Sequence, residues 1–327
     1  MQSNISQPGF HPRRGLRGGH RQTLAAFFLS RKISLPVAEE RLIEVEPGTK
    51  VLCRCHWQKD RENALTVLVV HGLEGSSESQ YMLGIANKGF AANMNVVRMN
   101  QRNCGGTDGL APTLYHSGLS TDGAAVAREL IERERISRLA LVGFSMGGNL
   151  VLKLAGEWGK EAPSQLRAVV TVCPAVDLAA SSDAVHIRSN RVYEYYFLWQ
   201  LRRRLRAKAR LFPQYFDISR LRGLTSLRDF DDKITAYYCG FAGAVDYYAR
   251  AAASNVVSRI AVPTLILHAA NDPFIRILPE TRKKILANPN ITFVETEDGG
   301  HCSFLAAPNG YDGHWAERQV VEFLRQF

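Results

Sequence analysis

Cysteine is scarce in this chain, with six in 327 residues at positions 53, 55, 104, 173, 239 and 302. So low a density excludes a disulfide-stapled scaffold, and reduced thiols in the cytoplasm are the expectation. Cys53 and Cys55 alternate along an expected strand and share one face, but no second Cys/His pair stands near them, so no metal is expected there. Long hydrophobic runs are missing as well. The longest, such as LAAFF and LTVLVV, fall far short of the roughly 20 residues that cross a bilayer. The opening stretch MQSNISQPGFHPRRGLRGGH lacks the apolar segment of a secretory signal. There is no internal repeat and no low-complexity linker. Acidic charge is in deficit, 31 Asp and Glu against 41 Lys and Arg, which leaves a net charge of +10. That surplus suits a polyanion, a membrane surface, an acidic substrate or plain solubility. No nucleic-acid motif accompanies it, so nucleic acid is not an expected partner.

What the chain does have is material for a core. Hydrophobic residues make up 46% of it, enough for one large α/β domain or two ordinary ones. After a basic arm, RLIEVEPGTKVLCRCHW (41–57) reads as two antiparallel strands about a Pro-Gly turn. ALTVLVVHG (64–72), MNVVRMNQRNCGG (94–106), RLALVGF (138–144), LRAVVTVCPAV (166–176), PTLILHAAND (263–272) and ITFVETEDGGH (291–301) read as further strands. TDGAAVARELIERERI (121–136), MGGNLVLKLAGEWG (146–159) and the closing WAERQVVEFLRQF carry helical periodicity. The alternation predicts a mostly parallel mixed sheet with helices on both faces, built as a single domain over 1–327. The spacing breaks once, between Val176 and Pro263, where a plain crossover needs far fewer residues. Residues 178–250 are therefore expected to form an inserted helical cap over the carboxyl edge of the sheet.

Gly143-Phe144-Ser145-Met146-Gly147 fits G-x-S-x-G between a strand and a helix. Glycines two residues either side let strand and helix pass closely, so the hydroxyl is held clear at the sheet edge. The helix N-terminus favours negative charge developing there. A serine nucleophile needs a base oriented by a third group, and in this arrangement the order is serine, acid, histidine. Asp272 in HAANDPF and His301 in EDGGHCSF each follow a late strand. His301 is the expected base and Asp272 the residue that fixes its tautomer. Asp177, also past a strand end, is the alternative acid, and Asp298 stands too close to the histidine in sequence. His268 is expected to be packed in its strand and His314 to start the last helix. The oxyanion donors are expected to be the backbone N–H groups of Met146 and of Leu73 in VVHGLEGSS, with His71 bracing that loop.

HGLEGSSES, VVRMNQRNCGGT, LYHSGLSTD, GFSMGGN, NDPF and GGH, with GGHRQTL near the start, together resemble the α/β-hydrolase family in its hydrolase-4 branch. RMNQRNCGG is the most branch-specific piece. The resemblance implies an α/β-hydrolase fold and carboxylic-ester hydrolysis, with a triad that falls on Ser145, Asp272 and His301.

The first expectation is thus a serine carboxylesterase or short-to-medium-chain lipase working through an acyl-serine intermediate. It would need no cofactor and no metal, and its partner would be a small ester or lipid-like substrate. A membrane surface is the lesser expectation. An acyltransferase with the same triad is the alternative, as is a silent binding or regulatory module. Tyr193, Tyr195, Tyr196, Phe197 and Trp199 either wall an acyl pocket or attach the cap. The basic residues 202–204, 206, 208 and 210 are expected to form a solvated lid face.

Overall fold

Valine, leucine and alanine dominate the central strands because both faces of this sheet are covered. The structure is a computed structural model that describes residues 9–29 and 31–327. The first eight residues of the opening stretch lie outside the described residues. A helix, α1 (Gly19–Phe28), precedes the hairpin β1 (Glu39–Glu46) and β2 (Thr49–His56). Then β3 (Thr66–Val70), α2 (Gln80–Ala91), β4 (Asn95–Met99), α3 (Ser120–Glu132), β5 (Leu139–Phe144), α4 (Met146–Trp158) and β6 (Leu166–Val172) alternate.

Between β6 and β7 (Thr264–Ala269) lie α5 (Leu178–His186), α6 (Arg191–Leu211), α7 (Leu227–Phe230), α8 (Ala236–Cys239) and α9 (Ala244–Ala251). The chain closes with α10 (Pro279–Ala287), β8 (Ile291–Thr296) and α11 (Trp315–Leu324). The eight strands form one mixed sheet in the order β1-β2-β4-β3-β5-β6-β7-β8. The β1–β2 and β2–β4 pairs are antiparallel, and every later pair is parallel.

The period of two along each strand splits the core. In β3, Val67 and Val69 join Met82 and Ile85 of α2 and Val320 of α11, whereas Leu68 and Val70 join Val126 of α3 and Leu152 of α4. Cys53 and Cys55 share the second face as core residues, as alternation predicts. The helices between β6 and β7 close on a third core of Leu198, Leu201, Leu205, Phe230 and Tyr247, which also takes in Leu114 and Phe274 from the loops beneath.

The basic run of α6 is not a solvated face throughout. Lys208 is fully buried, its Nζ donating to Asn103 Oδ1 and the Asp108 carbonyl, each at 3.0 Å, and to the Ala111 carbonyl. Burial pulls its ammonium down to about 8. Arg204 grips both Glu74 carboxylate oxygens at 2.8 and 2.9 Å and donates to the Asn103 carbonyl. Both side chains point inward because carbonyl and carboxylate acceptors from loops 97 to 130 residues away along the chain replace their water.

Candidate active site

β5 ends at Phe144 and α4 begins at Met146, so one residue must turn the chain. Ser145 does so at φ 54° and ψ −118°, a conformation that costs of order 1–3 kcal/mol and persists only when its surroundings impose it. Those surroundings are hydrogen bonds. Ser145 N donates to the Val172 carbonyl at 3.0 Å, and the Ser145 carbonyl accepts from Asn149 N and Ala175 N at 3.1 and 3.2 Å. A β-carbon on Gly143 would lie 2.3 Å from the Gly147 carbonyl oxygen, and one on Gly147 would lie 2.3 Å from that of Val70. Only glycine permits either approach.

The loop after β3 runs against this turn. A β-carbon on Gly72 would sit 3.1 Å from Ser145 Cβ. Gly72 N donates to the Tyr81 hydroxyl and Glu74 N to the Tyr115 hydroxyl, each at 3.0 Å. Among the described residues the intervening Leu73 N–H takes no partner, and neither does Met146 N–H at the start of α4. His71 braces this loop: it is fully buried, Nδ1 meets the Gly72 carbonyl at 2.8 Å, and Nε2 accepts from Gln101 N at 3.1 Å.

His301 Nδ1 lies 2.8 Å from Asp272 Oδ2. The Asp272 side chain is fully buried, and its Oδ1 accepts from Phe274 N and Ile275 N at 3.0 Å. Burial pushes this carboxyl up, but the His301 charge and hydrogen bond, with the Ile275 N–H, outweigh it and hold it below the ordinary range. Burial in turn pulls His301 down, and the Asp272 carboxylate overcomes that and raises the imidazole above its ordinary value. Asp177 is engaged elsewhere, accepting from Leu278 N and Thr281 Oγ1 at 2.8 Å. Asp298 takes Gly18 N and the Asn271 amide. His268 is buried in β7, and His314 immediately precedes α11.

Ser145 and His301 line one cavity of about 690 Å³ together with Leu73. The serine hydroxyl makes no hydrogen bond among the described residues. A second, largely apolar cavity of about 130 Å³ opens from Ser145 and Met146 toward Leu178, Leu201, Leu205 and Phe274. Phe197 lines both cavities and Tyr193 and Tyr196 the larger, whereas Tyr195 and Trp199 are exposed.

Sequence reasoning missed three supports. α1 reaches the histidine loop, where Thr23 Oγ1 accepts from His301 N at 2.9 Å. Arg204 holds Glu74 beside Leu73. Cys302 Sγ lies 3.8 Å from His301 Nε2, and Cys302 N donates to Cys173 Sγ at 3.4 Å. Burial raises the Cys302 thiol, but the Cys173 hydrogen bond and the His301 charge outweigh it and draw it below its ordinary value. Its adjacency to His301 in the sequence was the one available signal.

The profile of the alpha/beta hydrolase fold matches residues 66–308. The YheT protein of Escherichia coli (strain K12), whose name carries the word esterase, is 31% identical over 98% of this chain and 94% of its own. Phospholipase ABHD3 of Mus musculus is 28% identical over 82% of this chain and 63% of its own. An esterase of Pyrococcus furiosus superposes with a TM-score of 0.57 at 14% identity, over 91% of this chain and 98% of that one. At that identity the superposition speaks for the fold alone.

Proposed function

Because this chain belongs to the alpha/beta hydrolase fold family, we propose that it is a serine hydrolase of carboxylic esters. The observation that carries the reading is the pairing of a strained, outward-held Ser145 with an imidazole fixed by a buried carboxylate in the same cavity. Relatives named for esterase and phospholipase activity support the coarser class. The finer choice of carboxylic esters rests on the site.

In this reading His301 Nε2 takes the Ser145 proton as Oγ attacks the ester carbonyl. Asp272, holding Nδ1–H, stabilises the imidazolium that forms. The free Leu73 and Met146 N–H groups receive the carbonyl oxygen as it gains charge, an interaction whose loss costs about 10²–10³ in turnover. His301 returns the proton to the leaving alkoxide, and water then repeats the sequence on the acyl-serine. The smaller cavity suits a short acyl chain, being close to the roughly 150 Å³ engineered cavity that holds benzene. The larger one admits the alcohol half and water.

The test is fluorophosphonate labelling with p-nitrophenyl ester turnover. Wild-type protein should label, and Ser145→Ala should neither label nor turn over. Asp272→Asn should lower turnover about 10⁴-fold, whereas Asp177→Asn should leave it within about tenfold. Folded wild-type protein that never labels would refute the hydrolase reading. A larger loss in Asp177→Asn would refute the acid assignment.

A further inference from the structure

Three soft ligand atoms converge where the catalytic proposal uses only one of them. Cys173 Sγ, Cys302 Sγ and a ring nitrogen of His301 lie within 4.8 Å of one another. Cys302 Sγ and His301 Nε2 are 3.8 Å apart. In a tetrahedral zinc site, bonds of about 2.3 Å to sulfur and 2.0–2.1 Å to nitrogen put those atoms about 3.6 Å apart. The cluster needs only small shifts to close on one ion.

Its surroundings also suit a metal. His301 Nδ1 is already committed to the Asp272 carboxylate, the outer partner that orients ligating histidines and strengthens their donation. Cys302 N donates to Cys173 Sγ at 3.4 Å, while Cys173 Sγ faces the Gly300 carbonyl at 3.6 Å and Cys302 Sγ the Val172 carbonyl at 3.4 Å, so both sulfurs are thiols that a metal must deprotonate as it binds. Both cysteines hold left-handed backbone, φ 46° at Cys173 and 56° at Cys302. Such strain persists in non-glycine residues only where the fold imposes it. Cys302 and His301 line the larger cavity while Cys173 is buried behind them, so an ion entering from the cavity meets the first two and then the third.

We propose that Cys173, Cys302 and His301 bind one zinc ion and that this binding reversibly silences the enzyme. Each protonated thiol, and the imidazole at Nε2 where it is charged, releases its proton to solvent as its sulfur or nitrogen bonds the metal, while Nδ1 keeps its proton toward Asp272. The Nε2 lone pair completes a three-ligand set whose fourth position faces the cavity, and nothing is oxidised or reduced. Two thiolates and an imidazole select a thiophilic ion over magnesium or calcium. Zinc would occupy the lone pair that Ser145 needs. That inhibitory half rests on the proposed role of His301, and the binding half does not.

The test uses the full chain under reducing conditions with Co²⁺ and Zn²⁺ as the only additions. One equivalent of Co²⁺ should give thiolate-to-cobalt charge-transfer absorption, and Zn²⁺ should displace it. Zn²⁺ should abolish ester turnover and EDTA should restore it. Cys302→Ser and Cys173→Ser should each shift the inhibiting Zn²⁺ concentration upward by about 100-fold or more, beyond the 10–100-fold typical of losing an outer partner. Cobalt bound without a thiolate band in wild-type protein overturns the site, as does Zn²⁺ inhibition unchanged in both serine variants. The wild-type spectrum decides the matter even where a variant fails to fold. A thiolate band in protein that hydrolyses no ester would uphold the site and refute the hydrolase reading, and hydrolysis without a band would do the reverse.

Discussion

Acid should loosen the loop that carries Leu73, and His71 is the group through which it acts. The main-chain N–H of Gln101 points at Nε2, so that nitrogen carries the lone pair and Nδ1–H donates to the Gly72 carbonyl. A proton on Nε2 would set two donors against each other in a fully buried site. Burial first, then the nearby Arg204 charge, lower this imidazole to about 4. The unfolded chain binds the proton near pH 6.5, so the native state binds fewer protons between pH 6.5 and 4. Its stability is full above 6.5 and falls as the pH drops through that window.

The whole shift corresponds to about 3 kcal/mol, of which about 2 kcal/mol is lost between pH 7 and pH 5. Urea unfolding of wild-type protein and His71→Gln at both pH values isolates this share, because glutamine keeps an acceptor for Gln101 N–H but does not titrate. The variant should start less stable and lose about 2 kcal/mol less on acidification. His56 and His116, also lowered to about 4, contribute equally to both proteins. Equal losses in the two would refute the assignment of Nε2 as an obligatory lone pair.

Gly147→Ala should disturb the serine turn, since its new methyl would sit 2.3 Å from the Val70 carbonyl oxygen. A loss of about 1–3 kcal/mol in thermal unfolding with a fall in turnover is expected, while Gly109→Ala, which meets nothing within 4 Å, should change neither. Arg204→Met should strand Glu74, whose side chain is 4% exposed, and cost about 3–5 kcal/mol. Glu74→Gln in the same chain should recover part of that loss in a double-mutant cycle read by urea unfolding.

The serine turn was legible because its geometry is local: five residues between a strand and a helix carry both the glycines and the serine they hold. The sheet was legible for a related reason, since strands covered on both faces leave unbroken apolar runs such as TVLVV. Asp272 was the expected acid and Asp177 the alternative, each a residue past a strand end. The contacts that tell them apart lie in space, where one meets an imidazole and the other the start of α10. The charge run of α6 misled for a physical reason. Arg204 and Lys208 obey the surface rule in sequence, and their acceptors on Glu74, Asn103 and Asp108 are about 100 to 130 positions away. The role of α1 was hidden in the same way, because Thr23 meets His301 across 278 positions.

That last contact gives the protein an order of assembly. The imidazole loop is anchored by Thr23, and Asp298 in the same loop holds Gly18, so the two halves of this clasp leave the ribosome nearly a full translation time apart. A nascent chain can display its serine turn long before the clasp exists. The setting of the imidazole thus depends on both ends of the polypeptide, not just on the loop that carries it.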